Sequence, residues 1–344
     1  MTDEHPMVTL LVPAYNEALK IEASLAEMYA YMEGLSERYA FELLVIDDGS
    51  ADETASIVEA FAADRPQVRM LRHHANQGLG QALRDGFAAA HGDVIVAFDS
   101  DLSYSVDHIG RMLDTMEEQQ VAIVLASPYM RGGRTSAVPW NRALMSRQIN
   151  RVLAKASQYD VRTVTGMVRA YDANFIRGIS LKSMGPEINT EILYKAQIMR
   201  VRVAEIAAHL DWSDQAERMA KRKVSLRVTT TSKLLMFASF LFRPIIFFVL
   251  PGLVLLAISM WSGYSLFRTV FSLAGQQSGS LDHRITAAFA TAWDLRPQTF
   301  VIAGFTFLVA AQLFSLGLLA AQAKRYFEEL FYAATRNAAR NEDR

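Results

Sequence analysis

"VIVAFDSDLSYS", Val94 to Ser105, runs five apolar residues into two aspartates separated by a single serine. The run reads as a buried strand, and a buried strand that ends on two like charges needs something for them to hold. The segments before it set the context. "MVTLLVPAY" reads as a strand, "EALKIEASLAEMYAYMEGLSE" as a helix, "FELLVIDDGS" as a strand and "ADETASIVEAFAAD" as a helix. "VRMLRHH" follows as a strand and "GQALRDGFAAAHG" as a helix. Such alternation predicts an α/β domain, a mostly parallel sheet flanked by helices. In such sheets ligands lie beyond the carboxyl ends of the strands, which is where the charges of this stretch fall. A helix from about Val106, the strand "VAIVLASPY", the loop "MRGGRTSAVPW" and the helix "NRALMSRQINRVLAKASQ" complete the pattern.

The chain has 344 residues, a net charge of -1 and no cysteine. Disulfides, thiolate chemistry and sulfur-ligated zinc are excluded, and the charge balance predicts no nucleic-acid partner. Hydrophobic residues make up 51%, and the excess is concentrated near the C-terminus. No charge occurs between Arg243 and Arg268, nor between Arg296 and Lys324. Each run exceeds the roughly 20 apolar residues that cross a bilayer as a helix. Buried core helices are the plainer alternative, but they are shorter and carry a polar face. Lys221, Arg222, Lys223, Arg227, Lys233 and Arg243 precede the first run, while Lys324, Arg325, Arg336 and Arg340 follow the second. The connecting loop has only Arg268, Arg284 and Arg296. This bias predicts an integral protein of the inner or plasma membrane with both termini and the α/β domain in the cytoplasm. The acidic N-terminus lacks the pattern of a signal peptide. The expected organisation is a catalytic domain over 1–215, an interfacial segment over 216–243 suited to an anionic membrane surface, two spans with their loop over 244–323, and a cytoplasmic tail over 324–344.

Four clusters can carry chemistry. Residues i and i+2 at a strand end point to one side, so Asp99 and Asp101 can converge on one cation. Two hard oxygen ligands suit Mg²⁺ or Mn²⁺, which keep waters and bridge substrate phosphates. In "VIDDGSADET" Ser50 and Glu53 fit a capping box, which leaves Asp47 and Asp48 unexplained; a carboxylate there can accept hydrogen bonds from a nucleobase or ribose. In "VPAYNEA" Pro13 closes a strand and leaves Tyr15 and Glu17 at the same edge. "NQGLGQALRDG" contains a G-x-G, but Leu83 stands where a dinucleotide fingerprint needs its third glycine, and the motif follows the third strand. No nicotinamide cofactor is expected, and no histidine shows the spacing of a metal ligand or a catalytic base.

Together "VPAYNE", "VIDDGSADET", "NQGLGQALRDGF" and "DSD" resemble glycosyltransferase family 2 in order and spacing. "YMRGGRTSAVPWNRALMSRQIN", "TGMVRAYD" and "TEILYKA" look like its polyprenyl-phosphate hexose synthases, and the two C-terminal spans resemble those of the bactoprenol glucosyltransferases. The resemblance covers roughly residues 7 to 210. It implies a GT-A-type fold with a transmembrane hairpin, and inverting transfer of a sugar from a nucleoside diphosphate (GDP-mannose or a UDP-hexose) to undecaprenyl or dolichyl phosphate. Pro13, Tyr15, Glu17, Ile46 and Asp48 would hold the nucleoside. Asp99, Ser100, Asp101 and Ser103 would line the diphosphate and its Mg²⁺ or Mn²⁺, with Asp101 the direct ligand. Arg142 and Ser146, one turn apart on a helix and so on one face, match the pair that grips the acceptor phosphate.

The chain departs from the family pattern at three places. Pro128 stands where "GSRY" has arginine, Ser103 replaces a glutamine, and "SDQAERMAKRKVS" replaces an R-x-x-G-x-S-K loop. Arg131 or Arg134 is the candidate replacement for the arginine lost at Pro128, and Arg218, Arg222 and Lys223 are the candidates for the cationic role of the missing loop. Pro128 favours a rival reading, transfer to another membrane lipid such as a diacylglycerol. A non-catalytic membrane scaffold is the other rival; it predicts loss of a DxD aspartate, and both are present. A homo-oligomer is compatible with the sequence.

Overall fold

The computed structural model describes residues 5–156, 159, 161–213 and 244–342. The chain divides into two compact units, the second spanning Ser239–Glu329. The first contains β1 (Met7–Ala14), α1 (Ile21–Glu33), β2 (Ala40–Asp47), α2 (Thr54–Ala62), β3 (Val68–Arg72), α3 (Leu79–Ala89), β4 (Val94–Ala97) and α4 (Asp107–Gln119). There follow β5 (Ile123–Ser127), β6 (Arg134–Ser136), α5 (Trp140–Ala156), β7 (Arg169–Asp172), α6 (Ala173–Gly178), α7 (Ile188–Ile198), β8 (Val203–Ala207) and β9 (His209–Asp211).

The sheet order is β3-β2-β1-β4-β7-β5-β8, with β6 and β9 forming a separate ribbon. All pairings in the main sheet are parallel except those of β7, which runs antiparallel between β4 and β5. The interior strands are apolar almost throughout: Leu10, Leu11, Val12, Ile95 and Val96 are fully buried, as expected when both faces are covered. Helix α4 turns Ile109, Met112, Leu113 and Met116 inward, the spacing of one apolar stripe. Helix α3 approaches closely because Gly86 has no side chain; a Cβ there would stand 2.4 Å from Leu11. Strand order reverses between β1 and β4, so the crevice for a ligand opens at the carboxyl ends of β2, β1 and β4.

Two expectations are corrected here. Strand β4 stops at Ala97, so Asp99 and Asp101 sit in the following turn, and their approach owes nothing to strand alternation. Helix α2 begins at Thr54 with no side-chain cap from Glu53, so there is no capping box. Ser50 Oγ instead accepts the Asn16 amide at 2.9 Å, and Asp52 Oδ1 accepts the Thr54 amide at 3.0 Å.

The second unit is helical: α8 (Pro244–Ala274), α9 (Leu281–Leu295) and the start of α10 (Pro297–Glu342). Phe247–Ala274 and Pro297–Ala333 are long and apolar enough to cross a membrane. Helices α8 and α10 pack side by side where Ser259 Oγ donates to the Ala303 carbonyl at 2.8 Å. They also meet at Gly252, where a Cβ would lie 2.8 Å from the Phe314 ring. The sequence predicts a loop between the spans; that stretch contains α9. The interfacial segment over 216–243, with Arg218, Arg222 and Lys223, lies outside the described residues.

Candidate active site

At the end of β1 and the start of α2, two turns clasp one another. Asn16, at φ +55, donates its amide to Ser50 Oγ and accepts the Ala51 amide at 2.9 Å through Oδ1. The Glu17 amide donates to Thr54 Oγ1 at 2.9 Å, and the Ala18 amide to Asp52 Oδ2 at 3.2 Å. The polar residues of "YNE" and "GSADET" therefore bind each other's backbone. Tyr15 is left 47% exposed on the edge, with Glu17 partly buried beside it. Pro13 pairs in register with Ile46; the Ile46 side chain is fully buried, so only its backbone can meet a ligand.

Asp47 and Asp48 are both buried. Asp47 Oδ1 accepts the Ser50 amide at 3.0 Å. Its Oδ2 lies 3.1 Å from Arg72 Nε, an ion pair without hydrogen-bond geometry. Asp48 is densely wired. Its Oδ1 accepts the Gln77 amide at 2.8 Å and faces His73 Nδ1 at 2.8 Å, and its Oδ2 accepts the Gly78 amide at 2.9 Å. The other nitrogen of His73, Nε2, faces Asp85 Oδ2 at 3.0 Å, and Gln81 Nε2 donates to the same oxygen at 2.8 Å. This explains the G-x-G. Gly78 adopts φ +93 and turns its N–H onto a carboxylate of the protein, while a Cβ at Gly80 would stand 2.3 Å from the Ser183 carbonyl. His73 and Asp85 escaped the sequence reading, since they meet Asp48 only through the fold.

Beyond β4, the Phe98 amide still donates to the Leu11 carbonyl at 2.9 Å, and then the chain turns, with Leu102 at φ +53. Asp101 Oδ1 accepts the Ser103 amide at 2.9 Å. Burial, and then the neighbouring Asp101 carboxylate, push the Asp99 carboxyl up to about 7, against the opposing effect of a hydrogen bond with Ser103. The Tyr104 hydroxyl is pushed up as well, by burial and then by Asp99. Ser100 and Ser103 are buried in the same turn. A cleft of about 490 Å³ opens against Asp101, Ser103 and Ser105, with Lys20 just before α1, Glu27 of α1 and Asp211 of β9 on its other walls. Among the described residues no group of three or more Asp, Glu or His side chains is arranged to hold a metal. A carboxylate pair whose charges oppose each other fits a cation that takes one or two protein oxygens and completes its shell with water and substrate phosphate.

Arg142 and Ser146 both lie on α5. The Arg142 side chain is outside the described residues. Ser146 Oγ accepts the Tyr129 hydroxyl at 2.8 Å. One turn on, Asn150 ties α5 to the loop before β7, accepting the Val164 amide at 2.7 Å and the Thr165 amide at 3.1 Å.

Residues 9–179 match the family described as glycosyl transferase family 2. The chain is 28% identical over 212 residues to the glycosyltransferase AglD of Haloferax volcanii, covering 61% of this chain and 34% of that protein. It is 28% identical over 196 residues to the dolichol-phosphate mannosyltransferase of Pyrococcus furiosus, covering 56% of this chain and 54% of that one. The chain thus spans between about a third and about half of the length of these relatives. The fold is similar to that of glucosyl-3-phosphoglycerate synthase from Mycobacterium tuberculosis, with a TM-score of 0.50 and 18% identity over 68% of this chain and 79% of that one. The wired Asp48, the DxD turn and their place on a mostly parallel sheet therefore belong to a glycosyl transferase family 2 domain, which this chain carries over residues 9–179.

Proposed function

We propose that the protein is a membrane glycosyltransferase that moves a sugar from a nucleoside diphosphate to a polyprenyl phosphate with inversion. The observation that carries this reading is the convergence of Tyr15, Glu17, Asp48, Asp99 and Asp101 at the carboxyl ends of three neighbouring strands. The nucleoside lies along Pro13, Tyr15, Glu17, the Ile46 backbone and Asp48. Asp48 has three protein donors already in place, so it is oriented before the ligand arrives. Asp99 and Asp101 take the diphosphate end together with Mg²⁺ or Mn²⁺, with Ser100 and Ser103 lining their turn. When bound, the cation neutralises charge that develops on the leaving nucleoside diphosphate.

The acceptor is a phosphate monoester, whose second pKa near ~6 leaves it largely dianionic at neutral pH. One of its oxygens attacks the anomeric carbon, the bond to the diphosphate breaks, and its electron pair leaves with the nucleotide. A single displacement inverts the centre and requires no side-chain base. Arg142, a planar fork suited to phosphate oxygens, and Ser146 hold the acceptor. The two apolar helices span the membrane with both termini and the catalytic domain in the cytoplasm, a reading supported by the excess of flanking cations.

The test is transfer by detergent-purified protein offered a panel of nucleotide sugars with Mg²⁺ and either undecaprenyl phosphate, dolichyl phosphate or diacylglycerol. Product on a polyprenyl phosphate alone supports the reading, and product on diacylglycerol alone contradicts it. With the preferred acceptor, Arg142→Ala should lose one charge-assisted contact, about 1.5–3 kcal/mol or ten- to a hundredfold in acceptor handling. Nucleotide affinity should stay near that of the wild type.

A further inference from the structure

Helix α9 has a face that nothing in its own unit covers. It starts where the Ser280 side chain accepts the His283 amide, and it ends before Pro297, since the residue preceding a proline is disfavoured in a helix. It folds back along α8: Arg284 Nε donates to the Ala274 carbonyl at 2.9 Å, and Arg296 donates to Ser265 Oγ at 3.3 Å. Its packing face is small, with Ala288 and Ala292 fully buried. Beside that face, Ile285, Phe289 and Trp293 repeat at helical spacing and are 42%, 51% and 50% exposed. His283 and Asp294 lie toward the remaining side, also exposed, and Asp282 in the first turn falls on the same side as Ile285, Phe289 and Trp293, at the end of that row. A helix with one packed face, one bare apolar face and one polar face fits a boundary between protein, lipid and water.

The apolar face is continuous with α10. Phe300, in the first turn of that helix, has its ring centroid 6.2 Å from that of Phe289 and 5.3 Å from that of Trp293. The charge-free run of α10 begins at Pro297, so Phe289 and Trp293 stand level with the point where that span enters the apolar layer. Tryptophan favours this depth. Arg268, Arg284 and Arg296 cluster at the same end of the hairpin, where anionic headgroups would meet them.

We infer that α9 is an interfacial helix whose Ile285, Phe289 and Trp293 face lies in the lipid at the headgroup and acyl boundary, a third membrane contact beside the two spans. The inference rests on α8 and α10 crossing the bilayer, and the test separates the two claims. The chain has four tryptophans, Trp140, Trp212, Trp261 and Trp293. Trp261 lies on α8 inside its apolar stretch. Two full-length single-tryptophan proteins, one keeping Trp293 and one keeping Trp261 with the others changed to phenylalanine, are reconstituted in phosphatidylcholine–phosphatidylglycerol vesicles. The lipids carry bromines either shallow or deep in their acyl chains.

Trp293 should emit at shorter wavelength than in water, lose intensity chiefly to shallow bromines and resist acrylamide. Trp261 should respond chiefly to deep bromines. If Trp261 behaves so while Trp293 is quenched by acrylamide and ignores bromine, the inference is overturned and the spans stand. Trp293 shielded from both quenchers would mean that protein, such as a second copy of this chain, covers the face, which also overturns it. Failure of Trp261 to respond to bromine at any depth would remove the spans themselves, and α9 with them.

Discussion

Two aspartate pairs stand at strand ends on either side of β1, Asp47–Asp48 where β2 ends and Asp99–Asp101 after β4, and the fold provides for them in opposite ways. Asp48 is buried under three donors, two amides and an imidazole. Asp99 is buried beside another carboxylate, and burial first, then that charge, push its carboxyl up to about 7. A carboxylate satisfied by its own protein is set in place as an acceptor of fixed direction. A pair left in mutual repulsion is unstable until a cation or a proton joins it. On the proposed reading, the same residue type serves as a positioned recognition group at one strand end and as a charge receptor at the other.

The largest effect should come from breaking the second pair. Asp101→Asn should lower turnover by several kcal/mol of lost charge stabilisation, on the order of a hundredfold or more. The thermal midpoint should stay close to that of the wild type, because asparagine keeps an Oδ1 that can still accept the Ser103 amide. Assay and melting curve on one preparation check both halves. The first pair should respond in the opposite sense. Asp48→Ala leaves the buried His73 imidazole and the part-buried Gln77 and Gly78 amides without their acceptor, and an unsatisfied buried group costs about 1–3 kcal/mol. Its denaturant midpoint should fall clearly below that of Asp101→Asn.

A third difference is in pH. A cation can bind the pair only when Asp99 has lost its proton, and Asp99 is held protonated up to about 7. Affinity for Mn²⁺ should therefore rise with pH, by up to about tenfold per unit below that value, and level off above it. Titration calorimetry of the wild type over a pH series reads the dependence directly. The smallest effect is expected at His73. His73→Gln keeps a single donor for either Asp48 or Asp85 and should cost about 1 kcal/mol of stability. A modest loss of nucleotide affinity should accompany it, whereas affinity for the cation alone should be unchanged.

How much of this was legible depended on the range of the interactions. An apolar run ending in two aspartates announces itself within a dozen residues, as do the strand and helix periodicities and the charge-free helices. The capping box at Ser50 was a sound local reading, defeated by an amide from Asn16 that arrives from another strand. The bridge from Asp48 through His73 to Asp85 joins three segments and has no signature at any spacing. Strand β7, four residues long and inserted antiparallel between β4 and β5, is too short for its period to speak. Helix α9 was hidden because Asp282, Arg284 and Asp294 make its sequence look like a polar loop, although Ile285, Phe289 and Trp293 carry the helical period.

The central claim, that Asp99 and Asp101 receive a divalent cation together with a nucleoside diphosphate while Asp48 is set in advance, is tested most directly by one calorimetric comparison. Wild type and Asp101→Asn are titrated with UDP and with GDP, each with Mn²⁺ and with excess chelator. The account predicts that the wild type binds one of the nucleotides far more tightly with the metal than without it. Asp101→Asn should retain the weak chelator-state affinity and lose the metal-dependent gain. Equal affinity with and without metal in the wild type, or a gain of undiminished size in Asp101→Asn, would contradict it.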